Sequence, residues 1–355
     1  MDDFTTILKI NYEKAIDQDM REEISGLSQL QFISLYEASK LWSIGPFTQR
    51  TDLTFYKTSQ MPDPTKIGWT SSSIFNPSVV VEGEKIYLFY RAAVKKESLG
   101  SRIGLAIYTP ETGWVDQASN PIIYPTADDE ILSVEDPKVY KYLNEETGET
   151  EYIMFYNGAW EASEELIEEY KKPYGNIAVD IKSAVSSDLI NWVKQGVVVP
   201  HEITKLWVKG AVVPRDGDGS AVKINGEYLM FLSEGCGDKQ YVGHSKNMKD
   251  WEFIQNEYLP LPTSMGKNIY EVASATVDGE HLVLDFLYND NQDHHAGAQA
   301  LYNISDPFTV LDFTTGSCLS WGGMSKYKGE WIFAQGWDAT RGTEEMYFYS
   351  APIHT

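Results

Sequence analysis

The sequence is poor in cysteine, the residue that could cross-link a fold through disulfides or bind zinc as a thiolate. Only Cys236 and Cys318 occur among 355 residues. A disulfide framework and a thiolate zinc site are therefore excluded. The adjacent His294 and His295 are poorly placed to share one ion, and no His, Asp and Glu set has the spacing of metal ligands. We predict a protein that needs neither a metal nor another cofactor.

Positive charge is also scarce, since 29 Lys and Arg stand against 52 Asp and Glu, a formal net charge of -23. Nucleic-acid binding needs cations in excess and is therefore excluded. No run approaches the roughly 20 apolar residues of a membrane span. The first 20 residues carry early acids and no apolar stretch, so we expect no signal peptide. We expect a cytoplasmic protein without nucleic-acid or membrane partners, and leave open whether it forms a homo-oligomer.

Aromatic residues are abundant at 13%, and hydrophobic residues reach 42%, enough for a packed core. One unit recurs five times: a Gly-Glu turn followed by an apolar strand that ends in polar or aromatic residues. Its turns are Gly83-Glu84, Gly148-Glu149, Gly226-Glu227, Gly279-Glu280 and Gly329-Glu330. Subtracting the glycine positions gives periods of 65, 78, 53 and 50 residues, the size of propeller blades.

A second pattern supports blades of four strands. Trp114, Trp192 and Trp251 each follow a short turn after a strand, as in an outer hairpin. Residues 1–45 instead show the apolar spacing of helices, and residues 161–170 could form one helix within the second blade. We predict an all-β protein, with a five-bladed β-propeller over residues 46–355 and a helical N-terminal extension over residues 1–45, packed outside the ring.

Polar side chains recur at equivalent places in the five repeats, where they are expected to converge at the mouth of the central channel. We interpret the strand after each glycine as the innermost strand. Eight or nine residues after each glycine come Arg91, Asn157, Glu234, Tyr288 and Asp338. The strand before each glycine contributes Asn76, Glu135, Asp136, Lys209 and Glu271. This pattern predicts one axial polar site, in which these residues contact the substrate or act on it.

Six of these ten residues also have an ordinary structural interpretation. Asn76 and Asp136 precede prolines and could form turns. Glu234 could be a solvated loop acid and Glu271 an exposed strand end. Arg91 and Lys209 could simply neutralise neighbouring acids, which would still place them near the site. His294 and His295 are expected to be exposed.

The runs FNPSVVVEGEKIYLFYRA, SRIGLAIYTPETGW, VEDPKVY and VKGAVVP resemble glycoside hydrolase family 130, as do GAQALYNISDPFTVL and GWDAT. The similarity runs from roughly residue 70 to 352 and does not include the N-terminal 45 residues. The resemblance implies a five-bladed propeller with mannoside phosphorylase or mannosidase activity.

Position by position, the resemblance implies that Asp136 is a general acid that donates its proton through a substrate hydroxyl. It implies that Asn76, Arg91, Lys209 and Asp338 hold the sugar on the non-reducing side of the scissile bond. Phosphorylases of the family carry a His-Arg pair after the third repeat strand, where this chain has Ser233-Glu234. Glu234 and Glu271 resemble the two glutamates that replace the phosphate site in the family's mannosidases. Lys138 stands where the family usually has arginine.

The chemistry of the residues agrees with hydrolysis. A phosphorylase needs cations aimed at the attacking dianion, whereas this funnel would be rich in acids and would repel phosphate. Glu135 beside Asp136 is expected to raise the pKa of the acid through like charge. We therefore predict an inverting, exo-acting β-mannosidase whose partner is an oligosaccharide. The alternatives are a mannoside phosphorylase, a five-bladed furanosidase of the arabinofuranosidase type, and a sugar-binding propeller without catalysis.

Overall fold

The computed structural model describes residues 6–10, 13, 28–34, 36, 40–57, 61–63, 68–69, 73–94, 99–339 and 345–353. In the described residues, six antiparallel sheets form the predicted five-bladed β-propeller, because the third blade is divided between two of them. The first blade is β3–β6 and the second β7–β10, while β1 and β2 belong to the fifth. The bounds are β1 (Thr48–Gln49), β2 (Phe55–Tyr56), β3 (Ser73–Glu82), β4 (Lys85–Ala93), β5 (Arg102–Thr109), β6 (Gly113–Asp116), β7 (Ser133–Asn144), β8 (Glu149–Glu161), β9 (Ile177–Ser186) and β10 (Val193–Val197).

The third and fourth blades are β11–β15 and β16–β19, and β20–β22 complete the fifth. Their bounds are β11 (Val208–Lys209), β12 (Tyr228–Leu232), β13 (Glu234–Gly235), β14 (Tyr241–Ser245), β15 (Glu252–Gln255), β16 (Gly266–Asp278), β17 (His281–Asp290), β18 (His295–Asn303), β19 (Asp312–Thr315), β20 (Ser325–Tyr327), β21 (Glu330–Gln335) and β22 (Glu345–Pro352). The labelled helices are α1 (Gln29–Ser34), α2 (Glu164–Tyr170) and α3 (His201–Thr204), and residues 6–10 are also helical.

The Gly-Glu turns are the hairpins between the first and second strands of the blades. Gly83 has φ 62° and Gly329 has φ 82°, and nothing lies within 4 Å of where a side chain would begin. Glycine therefore suits these turns because of the backbone conformation and not because space is short. The tryptophan-bearing turns lead into the outermost strands β6, β10 and β15, as predicted.

The innermost strand of each blade is the one before the glycine, and our assignment of the following strand was wrong. Bridges between neighbouring blades join the segments before the turns, pairing Lys141 with Ser220 and Arg215 with Thr276. The sheet order β3-β4-β5-β6 places β3 at one edge, where it contacts β7 and β20 of the adjacent blades. Both strands of such a hairpin are apolar, and in both of them successive side chains point to opposite faces of the sheet. The repeat pattern alone could therefore not distinguish the inner strand from its neighbour.

Hydrophobic clusters fill the spaces between adjacent blades, and the N-terminal part of the chain completes the last of them. β1 and β2 both pair with β22 and form the outer edge of the fifth blade. Leu53 and Phe55 are buried in the cluster between the fifth and first blades, and Trp114 of the first blade donates to the Leu53 carbonyl at 2.9 Å. The ring is therefore closed by strands that are far apart in sequence.

The described helices lie outside the sheets, but the N-terminal ones pack on the mouth face of the propeller. Phe32 of α1 packs with Leu287, Leu319 and Trp321, beside the mouth ends of the fourth and fifth blades. Leu8 packs with Leu132 at the mouth end of the second blade. The rest of the predicted helical region lies mostly outside the described residues. α2 forms within the second blade, between β8 and β9, as predicted. Within the described part of the chain, no helix is long and apolar enough to span a membrane.

Candidate active site

Two matching β-bulges present polar side chains at the mouth of the channel. Pairing shifts register between Phe75 and Ser78 in β3 and between Glu135 and Lys138 in β7. Each bulge holds a residue followed by proline, which cannot donate to the ladder. Asn76 and Asp136 therefore adopt positive φ values of 41° and 51°. Their side chains meet across two blades, with Asn76 Nδ2 donating to Asp136 Oδ1 at 2.9 Å.

A cluster of ion pairs surrounds Asp136. Arg91 NH1 lies 3.0 Å from Asp136 Oδ1 and 3.0 Å from Glu135 Oε2. Lys209 Nζ lies 3.2 Å from Asp136 Oδ2 and 3.0 Å from Glu135 Oε2. Ser101 and the Phe75 ring hold the guanidinium from behind, through a 2.7 Å hydrogen bond and a 4.5 Å cation–π contact. Sequence analysis predicted that Asn76, Arg91, Glu135, Asp136 and Lys209 lie together, and the structure brings them together.

The electrostatics of Asp136 differ from the sequence-based expectation. Burial alone would raise the pKa of Asp136, but the charges of Lys209 and Arg91 and the hydrogen bonds from Asn76 and Arg91 outweigh it. The pKa of this carboxyl is therefore held well below its usual range. The prediction of a raised pKa for Asp136 is therefore wrong, because Arg91 and Lys209, which contact Glu135, also contact Asp136.

Glu271 lies in the opposite kind of environment. Burial and the charge of Asp136 raise the pKa of Glu271, while Lys138 and Trp321 act against that shift. Trp321 Nε1 donates to Glu271 Oε2 at 2.5 Å, and Lys138 Nζ lies 4.0 Å from Glu271 Oε1. Lys138 also donates to the carbonyls of Ala273 and Trp321. Lys138 of β7 therefore connects the second blade to β16 of the fourth blade and to the turn before β20 of the fifth.

Glu234 lies at the edge of the same region, on β13, where it pairs with Lys209 of β11. It is half-buried and lines a cavity of about 690 Å³ together with Tyr174, Trp207 and Tyr270. The neighbouring Ser233 accepts a 2.7 Å hydrogen bond from the backbone N–H of Val272, next to Glu271. The two glutamates therefore lie on directly joined ends of the third and fourth blades.

The other predicted site residues have different surroundings. Asn157 donates to the carbonyls of Asp180 and Val208 and so joins the second and third blades. Asp338 accepts from the Gln29 backbone at 3.0 Å, and from Gln335 and Tyr349. Tyr288 is not brought to the cluster, because its ring packs in the core between the third and fourth blades.

Two tryptophans belong to the site although the sequence analysis missed them. Trp337 Nε1 donates to Asn76 Oδ1 at 2.8 Å, and Trp321 bonds Glu271 as described. Their rings lie 5.7 Å apart at 35°. Trp337 lies eight residues after Gly329, within the counted positions, but Asp338 was chosen there instead. Trp321 precedes the last repeat glycine and falls outside those positions.

The two histidines do not form a metal site. The His294 side chain is 70% exposed and pairs with Asp290 at 3.4 Å, whereas His295 is half-buried against Tyr270. Among the residues that the structure describes, no three His, Cys, Asp or Glu side chains are grouped to hold a metal ion. The expectation of exposure is thus correct for His294 only.

Comparison with known proteins gives several matches. A family model described as β-1,4-mannooligosaccharide phosphorylase, that of glycoside hydrolase family 130, matches residues 45–274. The β-1,2-mannobiose phosphorylase of Thermoanaerobacter sp. (strain X514) is 26% identical over 176 residues. That alignment spans 46% of this chain and 48% of the relative, so the chain matches about half of that protein's length.

Solved structures show the same fold at low sequence identity. One comes from work on family 130 glycoside hydrolases that target β-1,2 mannosidic linkages in Candida mannan. It is 18% identical with a TM-score of 0.65, and the alignment covers 88% of this chain and 96% of that one. The β-1,2-mannobiose phosphorylase of Listeria innocua is 12% identical with a TM-score of 0.56, covering 79% and 89%.

The family model covers well over half of the chain and includes both bulges, Lys209, Glu234 and Glu271. The resemblance seen in the sequence is confirmed: this chain belongs to glycoside hydrolase family 130.

Proposed function

We propose that the protein is an inverting, exo-acting β-mannosidase that hydrolyses β-linked manno-oligosaccharides. The observation that carries the proposal is the charge arrangement of the site. Arg91 and Lys209 are bound to Glu135 and Asp136, and Lys138 lies beneath Glu271. A phosphate dianion needs cations that are free to face it. These three cations are already compensated by carboxylates, which favours water over phosphate as the nucleophile.

In this proposal the sugar on the non-reducing side is held by Asn76, Arg91, Lys209 and Asp338. Asp136 is the general acid and donates its proton through a sugar hydroxyl. Glu234 and Glu271 bind the attacking water on the opposite face. In an inverting glycosidase the acid and the base lie about 6.5–9.5 Å apart, which leaves room for that water.

The two glutamates have different tasks. Glu234 lines the open cavity and is assigned as the base that takes the proton of the water. Glu271 is buried with a raised pKa, so it is assigned to orient the water.

Asp136 must gain a proton before it can act as an acid, because it is held ionised in the site as it stands. The Lys209 side chain is 18% exposed and that of Arg91 is 2% exposed. Lys209 is therefore the cation that a sugar hydroxyl can displace. Its displacement would raise the pKa of Asp136 in the complex.

The part of the substrate that leaves is assigned to the cavity that runs outward from Glu234. Its volume of about 690 Å³ lies within the range of ligand-binding pockets. Tyr174, Trp207 and Tyr270 supply aromatic surface there, and Asn268 and Gln240 supply amide groups. This mixture suits sugar rings, which present both apolar faces and hydroxyls.

The test is to incubate the protein with β-1,2- and β-1,4-linked manno-oligosaccharides, with and without inorganic phosphate, and to identify the products by NMR. We expect free mannose, first released as the α-anomer, at a rate that phosphate does not change. The Asp136→Asn variant should show no release. Mannose 1-phosphate as the main product would overturn the proposal.

The second candidate is a mannoside phosphorylase, which is favoured by the names of two of the similar proteins, including the relative that is 26% identical. In this chain the lysines that line the cavity, Lys239 and Lys267, would have to hold the phosphate. Lys267 is already paired with Asp293 at 2.6 Å. The same product analysis separates the two candidates.

A further inference from the structure

We propose that Trp321 and Trp337, held in place by Gln29 and Phe32 of the N-terminal segment, are positioning residues for the site carboxyls Glu271 and Asp136. This inference rests on the proposed function for the roles of those carboxyls. It makes the N-terminal segment a working part of the site, whereas the sequence suggested an appendage outside the ring.

The indole N–H groups of both tryptophans donate hydrogen bonds to residues of the site. Trp321 Nε1 donates to Glu271 Oε2 at 2.5 Å, and Trp337 Nε1 donates to Asn76 Oδ1 at 2.8 Å. The second bond fixes the amide of Asn76 so that its Nδ2 faces Asp136 Oδ1 at 2.9 Å. Indole can only donate, so each bond has one possible direction. Each tryptophan therefore sets the orientation of one half of the catalytic arrangement.

The indole rings of Trp321 and Trp337 also contact each other. They lie 5.7 Å apart at 35°, and Trp337 also meets Phe75 edge-on at 6.1 Å. Phe75 in turn carries the guanidinium of Arg91 on its face. A displacement of either indole would therefore also move the other indole. Through Phe75 it would move the guanidinium of Arg91, which binds Asp136.

Two residues of α1 pack against or bond the segment that carries Trp321. Phe32 is buried in one cluster with Leu287, Leu319 and Trp321. The fully buried Gln29 side chain donates to the Ser317 carbonyl at 3.0 Å and accepts from the Leu319 N–H at 2.9 Å. It thus bonds the backbone two residues before Trp321 as a neighbouring strand would. Its own backbone N–H holds Asp338, next to Trp337.

A structural role alone would lower stability and leave the titration of the site unchanged. The Trp321 hydrogen bond favours the ionised form of Glu271, against the burial that raises its pKa. Loss of the indole N–H should therefore raise the pKa of Glu271 further. The charged groups around Glu271 include Lys138 and Asp136 of β7 and Lys209 of β11, together with Glu234 on the adjoining end of β13. All of them remain in the variant.

The experiment compares Trp321→Phe and Trp337→Phe with Trp42→Phe. Trp42 is a matched control because its Nε1 also donates to a carboxylate, Asp312 at 3.1 Å, away from the mouth. We expect kcat to fall roughly 10- to 100-fold in Trp321→Phe, as for loss of a hydrogen bond to a charged group. In Trp337→Phe the lost bond is to the neutral amide of Asn76, so kcat should fall about 2- to 10-fold. In Trp321→Phe, the limb of the kcat–pH profile that reports the titration of Glu271 should also move to higher pH. Trp42→Phe should leave kcat and the pH profile unchanged.

The N-terminal contribution is tested with Phe32→Ala against Phe47→Ala. Phe47 is another buried phenylalanine of the N-terminal region, and it packs on Phe333, 5.1 Å away, in a cluster that contains neither Trp321 nor Trp337. Both variants should lose stability, but only Phe32→Ala should lower kcat at a temperature where both are folded. Phe32→Leu should restore most of the loss.

A readout without substrate keeps this inference separate from the proposed function. In the ¹⁵N-labelled protein, the Trp321 indole N–H resonance, assigned by its absence in Trp321→Phe, should shift as Glu271 titrates. A wild type without mannosidase activity would reject the proposed function only. A Trp321 resonance insensitive to pH, or an unchanged kcat in Trp321→Phe and Phe32→Ala of an active enzyme, would reject the positioning role.

Discussion

At the scale of single residues, the carboxyls of the site differ in the charges around them. Asp136 faces two cations, whereas Glu271 is buried against one lysine and an indole. Replacing a positioned general base typically lowers the rate by about 10²- to 10⁴-fold. We expect Glu234→Gln and Glu271→Gln each to lower kcat by that order with little change in sugar affinity, measured by steady-state kinetics and calorimetry.

Glu227→Gln is the matched control for Glu234→Gln. Glu227 lies in the same blade, is partly exposed and pairs with His244 at 3.1 Å. Its variant should keep wild-type kinetics. Full activity in both site variants would show that the water is bound elsewhere.

The low pKa of Asp136 predicts a particular pH dependence. The profile of kcat/KM reports the free enzyme, and that of kcat reports the complex. The acid must be protonated, so activity falls as the pH rises through its pKa. We expect the alkaline limb of kcat/KM to lie at lower pH than that of kcat, because Lys209 lowers the pKa only before the sugar displaces it. Lys209→Met should move the kcat/KM limb to higher pH, and coincident limbs in the wild type would contradict this.

At the scale of elements, the bulge in β7 requires a left-handed backbone at Asp136. Asparagine adopts positive φ readily, whereas a left-handed conformation costs most other residues roughly 1–2 kcal/mol. Asp136→Asn and Asp136→Ala both remove the carboxylate charge. The Asn variant keeps the backbone preference and also an amide oxygen to which Asn76 and Arg91 can donate. We expect Asp136→Ala to have the lower free energy of unfolding by that amount or more, measured by urea denaturation.

Both Asp136 variants should lack hydrolysis, and Asp136→Asn should still bind the oligosaccharide. Equal free energies of unfolding would show that the bulge relaxes when Asp136 is replaced. Residual hydrolysis near the wild-type rate in Asp136→Asn would remove Asp136 from the mechanism.

At the scale of the whole molecule, the ring depends on the N-terminal strands that complete the fifth blade. Phe55 of β2 is buried between that blade and the first, with Tyr90 and Trp114 rings each 5.5 Å away. A Phe→Ala change in a core costs about 3–5 kcal/mol. We expect Phe55→Ala to lower the free energy of unfolding by that amount. The adjacent Tyr56, 64% exposed, is the control, and Tyr56→Ala should change it by less than about 0.5 kcal/mol.

Comparable losses in the Phe55 and Tyr56 variants would mean that the seam between the first and fifth blades does not limit stability. This seam is a sensitive place because no disulfide closes the ring in the described residues. Both cysteines are free and buried. Closure therefore depends on strand pairing and on the packing of side chains such as Phe55.

The repeat and the apolar strands were sufficient to predict five blades, because turn residues and alternating side chains are local properties of the chain. The polar residues beside the prolines, Asn76 and Asp136, were recognisable for the same reason. Arg91, Glu135 and Lys209 were correctly grouped with them, since equivalent positions of a ring must converge on one axis.

Only the tertiary structure decided which strand of each hairpin faces the channel and where the aromatic side chains point. Tyr288 packs into the core because its alternation places it on the same strand face as Phe286, towards the third blade. Trp321 and Trp337 reach Glu271 and Asn76 over 50 and 261 residues of sequence. No local pattern records such contacts.

The charge state of the site was equally beyond the sequence. Glu135 is next to Asp136 in the chain, yet the pKa of Asp136 is governed by Lys209, 73 residues away, and Arg91, 45 residues away. Electrostatic energy depends on distance in space and on burial, and folding sets both. The sequence by itself therefore determined the ring and most members of its polar site. The fold decided the ionisation of these residues and brought Gln29 of the N-terminal segment into contact with Leu319 and Asp338.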